Sequence, residues 1–251
     1  MIKLQKVNKS YGETPIIKDL SLEIPKGQLT SFIGPNGAGK STLLNMISRL
    51  IELDSGKIYI EDKEIKEWNS KELAKKIAIL KQSNNINIRL KVKELVSFGR
   101  FPHSQGRLTK EDQVLIDEAI EYMKLKEYQD KFLDELSGGQ RQRAYIAMVI
   151  AQNTDYILLD EPLNNLDIKH SIEMMKILKD LIHDFNKTII LVVHDINIAS
   201  TYSDYIVALK DGQIRQVGNV KEVIDKVLLD EIYEMNFKIE SIDDKRICIY
   251  Y

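Results

Sequence analysis

Residues Gly34–Ser41 read GPNGAGKS, and this stretch constrains the fold more than any other. The spacing is G-x-x-x-x-G-K-[ST]. It lies between "TSFIG", a short run of strand-forming residues, and "KSTLLNMISRL", whose apolar residues recur at helical spacing. A strand that passes through glycines straight into a helix aims several backbone N–H groups, and the positive end of the helix, at one point. Gly37 and Gly39 permit the backbone conformations that turn those N–H groups inward. The matching ligand is the phosphate chain of a nucleotide. Gly34, Pro35, Asn36, Gly37, Ala38, Gly39, Lys40, Ser41 and Thr42 are expected to surround it. Lys40 supplies a point charge for the β- and γ-phosphates, and Ser41 offers a hydroxyl to Mg²⁺.

Around this loop the chain reads as an α/β protein with a helical insertion. The first stretch holds short strands, "IKLQKV", "KDLSLEI", "QLTSFIG" and "GKIYIED", separated by Gly, Pro and Asp turns. From about Val92 to Val149 the pattern is helical. In "LTKEDQVLIDEAIEYMKL", Leu115, Ala119, Tyr122 and Met123 are expected on one face, with Thr109 and Asp112 as a capping box. "DYILLDEP" and "TIILVVHD" then flank the helix "KHSIEMMKILKDLIHDF", a βαβ pattern that implies parallel strands. The expected division is a nucleotide-binding core with a small β subdomain over 1–85 and 152–218, a helical insert over 86–151, and a tail over 219–251 of helices and a hairpin. No role is assigned to the tail.

Two strands end in acids or a histidine. "DYILLDE" is an apolar strand that delivers Asp160 and Glu161 rigidly to the edge of a sheet, where ligands bind in α/β folds. Asp160 suits Mg²⁺, and Glu161 suits the polarisation of an attacking water. His194 follows "LVV" in the same way, and a neutral imidazole there can bond the γ-phosphate or the water. Gln82, after the short apolar run "AIL", can reach Mg²⁺ or orient water. His103, His170 and His183 have no acid or cysteine partner at metal-ligand spacing. Met174, Met175 and Trp68 read as packing residues, and Cys248 as an inert thiol in a late strand.

"DELSGGQRQR" poses a separate problem, because a Ser-Gly-Gly turn at a helix start is itself an anion site and the chain already has one phosphate loop. A two-fold dimer resolves it. The SGGQ turn of one copy then faces the γ-phosphate held by the loop of the other, and two composite sites result.

Taken together, Tyr11, the phosphate loop, Gln82, "LSGGQ", "YILLDE", "NLD" and His194 resemble the ABC-type ATPases in order and spacing over essentially the whole chain. That resemblance implies a P-loop NTPase (RecA-like) core with a small N-terminal antiparallel β subdomain and an inserted α-helical subdomain. It implies ATP with Mg²⁺ as cofactors, the metal being held by Ser41, Gln82 and Asp160. It makes Tyr11 the residue that stacks on adenine, and Gln82 a residue that borders the groove where a polytopic membrane permease docks. Ser137, Gly138, Gly139 and Gln140 would touch the partner copy's ATP, and Asp167 would lie in a loop that crosses the dimer interface. Glu161 would be the catalytic base, His194 the γ-phosphate switch, and Lys40 and Gln82 would assist. "EPLNNLD" departs from the commoner E-P-T-S-x-L-D, with Leu163 for Thr and Asn164 for Ser. Asn164 can still hydrogen-bond across the interface.

A narrower similarity, carried by "LVSFGRFPHSQGRLT" and "VVHDINIASTYSDYIVALKDGQI", is to the ATPases of ferric-siderophore importers, which work with an extracellular siderophore-binding protein. Importers of haem, vitamin B12 or another metal chelate share this class. A soluble ABC protein acting on DNA or ribosomes is disfavoured. The net charge is −2 and no basic patch, second cassette or long coiled coil is present. No stretch approaches the ~20 apolar residues of a membrane span. A single cysteine fits a reducing compartment. The expected location is the cytoplasmic face of the cell membrane, reached by docking to the permease.

Overall fold

The computed structural model describes residues 1–82, 88–164 and 166–250. Asn165, within the "NLD" motif, lies outside the described residues. The chain forms two compact units, one from Met1–Trp68 with Asn186–Tyr251 and the other from Asn69–Phe185.

The first unit begins with β1 (Ile2–Tyr11), β2 (Thr14–Ile24), β3 (Leu29–Ile33), α1 (Lys40–Ile47), β4 (Ser55–Ile60) and β5 (Lys63–Glu64). β2, β1, β4 and β5 form an antiparallel sheet in that order, with Ile2 opposite both Ile24 and Ile60. Ile2, Leu4 and Val7 of β1 are buried together with Leu20, Leu22 and Ile24 of β2. One face of this sheet is therefore apolar, the usual arrangement of an antiparallel sheet covered on one side.

The second unit holds α2 (Ser70–Lys76), β6 (Ile77–Leu80), α3 (Val92–Phe98), α4 (Phe101–Ser104), α5 (Lys110–Tyr122), α6 (Gly138–Ala151), β7 (Tyr156–Asp160) and α7 (Ile168–Phe185). β6 and β7 pair in parallel from Ile77 opposite Tyr156 to Leu80 opposite Leu159. Thr109 and Asp112 form the expected capping box at the start of α5. Of the four residues expected on one face of α5, Ala119 and Met123 are buried, Leu115 and Tyr122 are half-buried, and Ile116 and Ile120 are buried beside them. Asp112 is buried as well, with its carboxylate 2.8 Å from a buried Arg100.

Arg100 also donates to Ala151 O at 2.8 Å and Gln152 O at 3.3 Å, at the end of α6. Gln152 in turn donates to Ala74 O and Ile77 O, where β6 begins. One buried guanidinium thus joins the start of α5 to the end of α6. The Thr109 N–H and then the Arg100 guanidinium pull the Asp112 carboxyl down from 3.8 to about 2. A carboxyl whose pKa is depressed by folding stabilises the native state above its unfolded pKa, and that stabilisation is lost as pH falls through the folded value. Asp112→Asn should cost about 3 kcal/mol at neutral pH, since it leaves a buried cation uncompensated. In urea unfolding, the wild type's lead over this variant should shrink between roughly pH 5 and pH 2. A lead that stays constant across that range would show that Asp112 is not the responsible group.

The chain returns to the first unit with β8 (Thr188–Val192), α8 (Ile196–Tyr202), β9 (Tyr205–Lys210), β10 (Gln213–Gly218), α9 (Val220–Val223), α10 (Lys226–Tyr233), β11 (Phe237–Ile242) and β12 (Lys245–Tyr250). β3 lies between β8 and β9 and pairs with both in parallel, and β10 pairs antiparallel with β9. β3 and β8 are buried along their whole length, as parallel strands covered on both faces must be. β11 and β12 form the tail hairpin. Among the described residues no helix is long and apolar enough to cross a membrane.

Candidate functional site

In the first unit the phosphate loop rises from the end of β3 and closes onto α1. Gly39 is the N-cap of α1 with φ of 95°, and no side chain caps the helix. No acidic residue lies in its first turn, so no carboxylate there competes with an anion for the positive end of the helix dipole. A Cβ at Gly39 would lie 2.7 Å from Ile17 Cδ1 and 3.1 Å from Ile16 O, so both the φ and the space demand glycine. Lys40 is buried, and its Nζ donates to Gly34 O at 2.7 Å and Pro35 O at 2.9 Å. Its ammonium is therefore held inside the loop. Asn36 and Gly37 form the exposed tip, and Ala38 packs beneath. Ser41 and Thr42 follow in the first turn of α1.

Two further expected residues belong to this unit. Tyr11 ends β1 with half its surface exposed, and the Lys9 ammonium lies 5.8 Å from its ring centroid. Such a ring has a face available for stacking. His194 is exposed just after β8, beside Asp195, which caps α8 by accepting from Asn197 N and Ile198 N.

The second unit carries the acids. Asp160 is the buried last residue of β7. Glu161 follows with φ of 52°. Its Oε2 accepts hydrogen bonds from Gln82 Nε2 at 2.5 Å and from Asn164 Nδ2 at 2.5 Å. The structure thus brings Gln82 and Glu161 together and adds Asn164, whose bond to Glu161 the sequence reading did not foresee. The signal was present, because the departure "EPLNNLD" places an amide three residues beyond the glutamate. Gln82 uses its amide N–H on Glu161, which leaves its Oε1 as a metal donor. Within this unit the Asp160 carboxylate and the Gln82 amide oxygen are hard oxygen donors of the kind Mg²⁺ prefers, and the Ser41 hydroxyl of the first unit is a donor of the same chemical type.

The SGGQ turn caps α6. Ser137 Oγ accepts from Gln140 N at 3.3 Å, and Gln140 Oε1 accepts from Ser137 N at 3.0 Å. This is a reciprocal capping box, which fixes the start of the helix and engages Ser137 and Gln140 with each other. Gly138 and Gly139 form the first turn of α6. A Cβ at Gly139 would come 3.4 Å from Leu166 Cδ2. Farther along α6, Gln142 Nε2 donates to Pro162 O at 3.0 Å and ties the helix to the loop after Glu161. Asp167 is exposed and accepts from both the backbone N–H and Nδ1 of His170, at 2.8 Å each. Those N–H groups hold its carboxyl below the usual range.

The remaining candidates are structural. His170 pairs with Asp167, which serves as a cap at the start of α7 and not as part of a metal-ligand set. His183 lies 3.0 Å from Asp184. Burial, and then the Arg100 charge, push the His103 pKa down, so its neutral ring donates from Nε2 to Gln152 O at 3.0 Å. Among the described residues no three His, Cys, Asp or Glu side chains form a metal cluster. Met174 and Met175 are buried. Trp68 stacks under the Lys63 ammonium at 4.8 Å. Cys248 is buried in β12, and burial pushes its thiol up to about 11, well away from a reactive thiolate.

The ABC transporter family profile matches residues 17–164, more than half of the chain. The chain belongs to the ABC transporter family. This cassette is 61% identical to the petrobactin import ATP-binding protein YclP of Bacillus subtilis (strain 168), with 100% of each chain covered. It is 39% identical to the ferric enterobactin transport ATP-binding protein FepC of Escherichia coli (strain K12), over 96% of this chain and 89% of that one. It also matches the dimeric structure of the ATP-binding cassette MJ0796 in a post-hydrolysis state bound to ADP and Pi. There the TM-score is 0.78 and the identity 34%, over 88% of this chain and 99% of that one. The protein is therefore a nucleotide-binding ABC ATPase with the mixed α/β, P-loop fold expected from its sequence.

Proposed function

We propose that this cassette is the energy-coupling ATPase of an importer for ferric-siderophore complexes. On this reading two copies close around two ATP molecules at the cytoplasmic face of the membrane and drive a polytopic permease, which receives cargo from an extracellular binding protein. The observation that carries the cargo class is the 61% identity, over the whole of both chains, to a petrobactin import ATP-binding protein.

The chemistry follows from the side chains. The N–H groups of Gly37 to Ser41 and the Lys40 ammonium bind the phosphates, and Tyr11 stacks on the adenine. Ser41, Asp160 and Gln82 would hold Mg²⁺, and the bound ion would supply charge neutralisation to the phosphates. Glu161 accepts the proton of the attacking water, and its carboxylate is aimed by Gln82 and Asn164. His194 donates to the γ-phosphate and reports its loss. Ser137, Gly138, Gly139 and Gln140 meet the ATP of the partner copy across the dimer, and Asp167 lies at that interface. Catalysis on this reading consists of positioning and charge stabilisation, with no covalent intermediate.

The test is uptake of radiolabelled ferric siderophores, after iron starvation, in a strain that lacks this gene and the genes of its related cassettes. Complementation uses the wild type and Glu161→Gln. Uptake restored only by the wild type is the expected result. Uptake that never depends on the gene across a siderophore panel rejects this cargo and moves it to haem, vitamin B12 or another chelate.

A further inference from the structure

The tail after Gly218 lies outside the residues matched by the family profile, and none of the roles given above falls on it. In the first unit it makes ties to two elements of the nucleotide site. Tyr233, the last residue of α10, accepts a hydrogen bond at its hydroxyl from Gly34 N at 2.9 Å. Gly34 opens the phosphate loop with φ of 142°, and a Cβ there would overlap Leu209 O. No side chain at that position can steady the loop, and a tyrosine from far along the chain meets its N–H instead. The Tyr233 ring is packed on Phe237 at 5.7 Å, and Phe237 on Tyr250 at 5.4 Å. Burial holds the phenol well above its ordinary pKa, so it stays neutral.

The second tie is to α8, the helix that follows His194. Asn197 Nδ2 donates to Cys248 O at 3.0 Å, and Asn197 Oδ1 accepts from Cys248 N at 2.7 Å. One side-chain amide thus pairs with the backbone of β12 as a neighbouring strand would. One turn on, Ser200 Oγ donates to Arg246 O at 2.5 Å. The tail is braced internally, since Arg246 donates to Ile224 O at 2.6 Å and Asp230 Oδ1 accepts from Phe237 N at 2.7 Å. The same segment is therefore bonded to the first residue of the phosphate loop and to the first turn of the helix behind His194.

We propose that the tail is a positioning clamp on the ATP site, in which Tyr233 sets the start of the phosphate loop and Asn197, bonded to β12, sets the orientation of α8 and thus of His194. Tyr233 and Asn197 are positioning residues that act through Gly34 and His194. The proposal rests on the roles given above to the phosphate loop and to His194.

The test is steady-state ATP hydrolysis by the full chain, at a temperature well below every variant's Tm. Tyr233→Phe keeps the ring and removes only the acceptor. It should raise KM for ATP about 5-fold and leave kcat within 2-fold of wild type, an effect on the scale of one lost hydrogen bond. Asn197→Ala should lower kcat about 5-fold with KM little changed. A merely structural tail would lower Tm in both variants without this split. Wild-type KM in Tyr233→Phe would overturn the proposal, and this isosteric variant decides the case should Asn197→Ala not fold. Lys40→Ala separates the two readings. If it binds ATP like wild type, the site assignment itself fails; if it loses ATP while Tyr233→Phe is silent, only the clamp fails.

Discussion

Glu161→Gln is expected to bind ATP with wild-type affinity and to lose hydrolysis by roughly 100- to 10,000-fold, the usual span for removal of a general base. The amide is close to isosteric with the carboxylate, so Gln82 and Asn164 remain in place around it. What disappears is the capacity to take a proton from water. Since the binding groups proposed above lie on the phosphate loop, KM for ATP should hardly change, and the loss should fall on kcat. Such a variant is also expected to remain dimeric as long as ATP is present, because in the proposed cycle the dissociating step follows hydrolysis. Phosphate release and size-exclusion chromatography with and without ATP check both halves. Hydrolysis at the wild-type rate would remove Glu161 from the role of base, and a monomer under saturating ATP would contradict the composite-site dimer.

Lys40→Ala should weaken ATP binding by about 10- to 100-fold, the scale of a lost charge-assisted hydrogen bond to phosphate. The Lys40 ammonium already lies within the loop, bonded to Gly34 O and Pro35 O. Truncation removes the one side-chain cation in the motif and also unties those two carbonyls. Lys40→Arg is not a neutral replacement, because a planar guanidinium must enter a space filled by a compact ammonium. Titration calorimetry with ATP and Mg²⁺ measures the effect directly. A dissociation constant within 2-fold of wild type for Lys40→Ala would show that the nucleotide does not use this loop.

The parts of this protein legible in the sequence are those whose physics is local. The phosphate loop is a run of adjacent residues whose glycines, lysine and hydroxyl each have one plausible job. Asp160 and Glu161 could be placed at a strand end because the apolar run before them stops there. Thr109 with Asp112 could be paired because a helix start needs its N–H groups met within three residues. The family followed from the order of these local signals.

What only the tertiary structure decided involves partners far apart in the chain, or orientations that periodicity cannot resolve. Asp112 reads as a cap, yet it also binds buried Arg100, and Ile116 and Ile120 of the same helix are buried where the periodicity points to Leu115 and Tyr122. Asn164 reads as a departure at an interface, yet it donates to Glu161 in its own chain because the turn after β7 folds back. The spacing of Asp167 and His170 permitted a cap, and only the start of α7 showed that they form one. Tyr233 has no neighbour in the sequence that points to Gly34. Their hydrogen bond joins residues brought together by the whole sheet of the first unit, and no short-range pattern records such a contact. Backbone needs and hydrophobic period are written residue by residue, whereas the pairing of distant polar groups is settled only when the elements that carry them have packed.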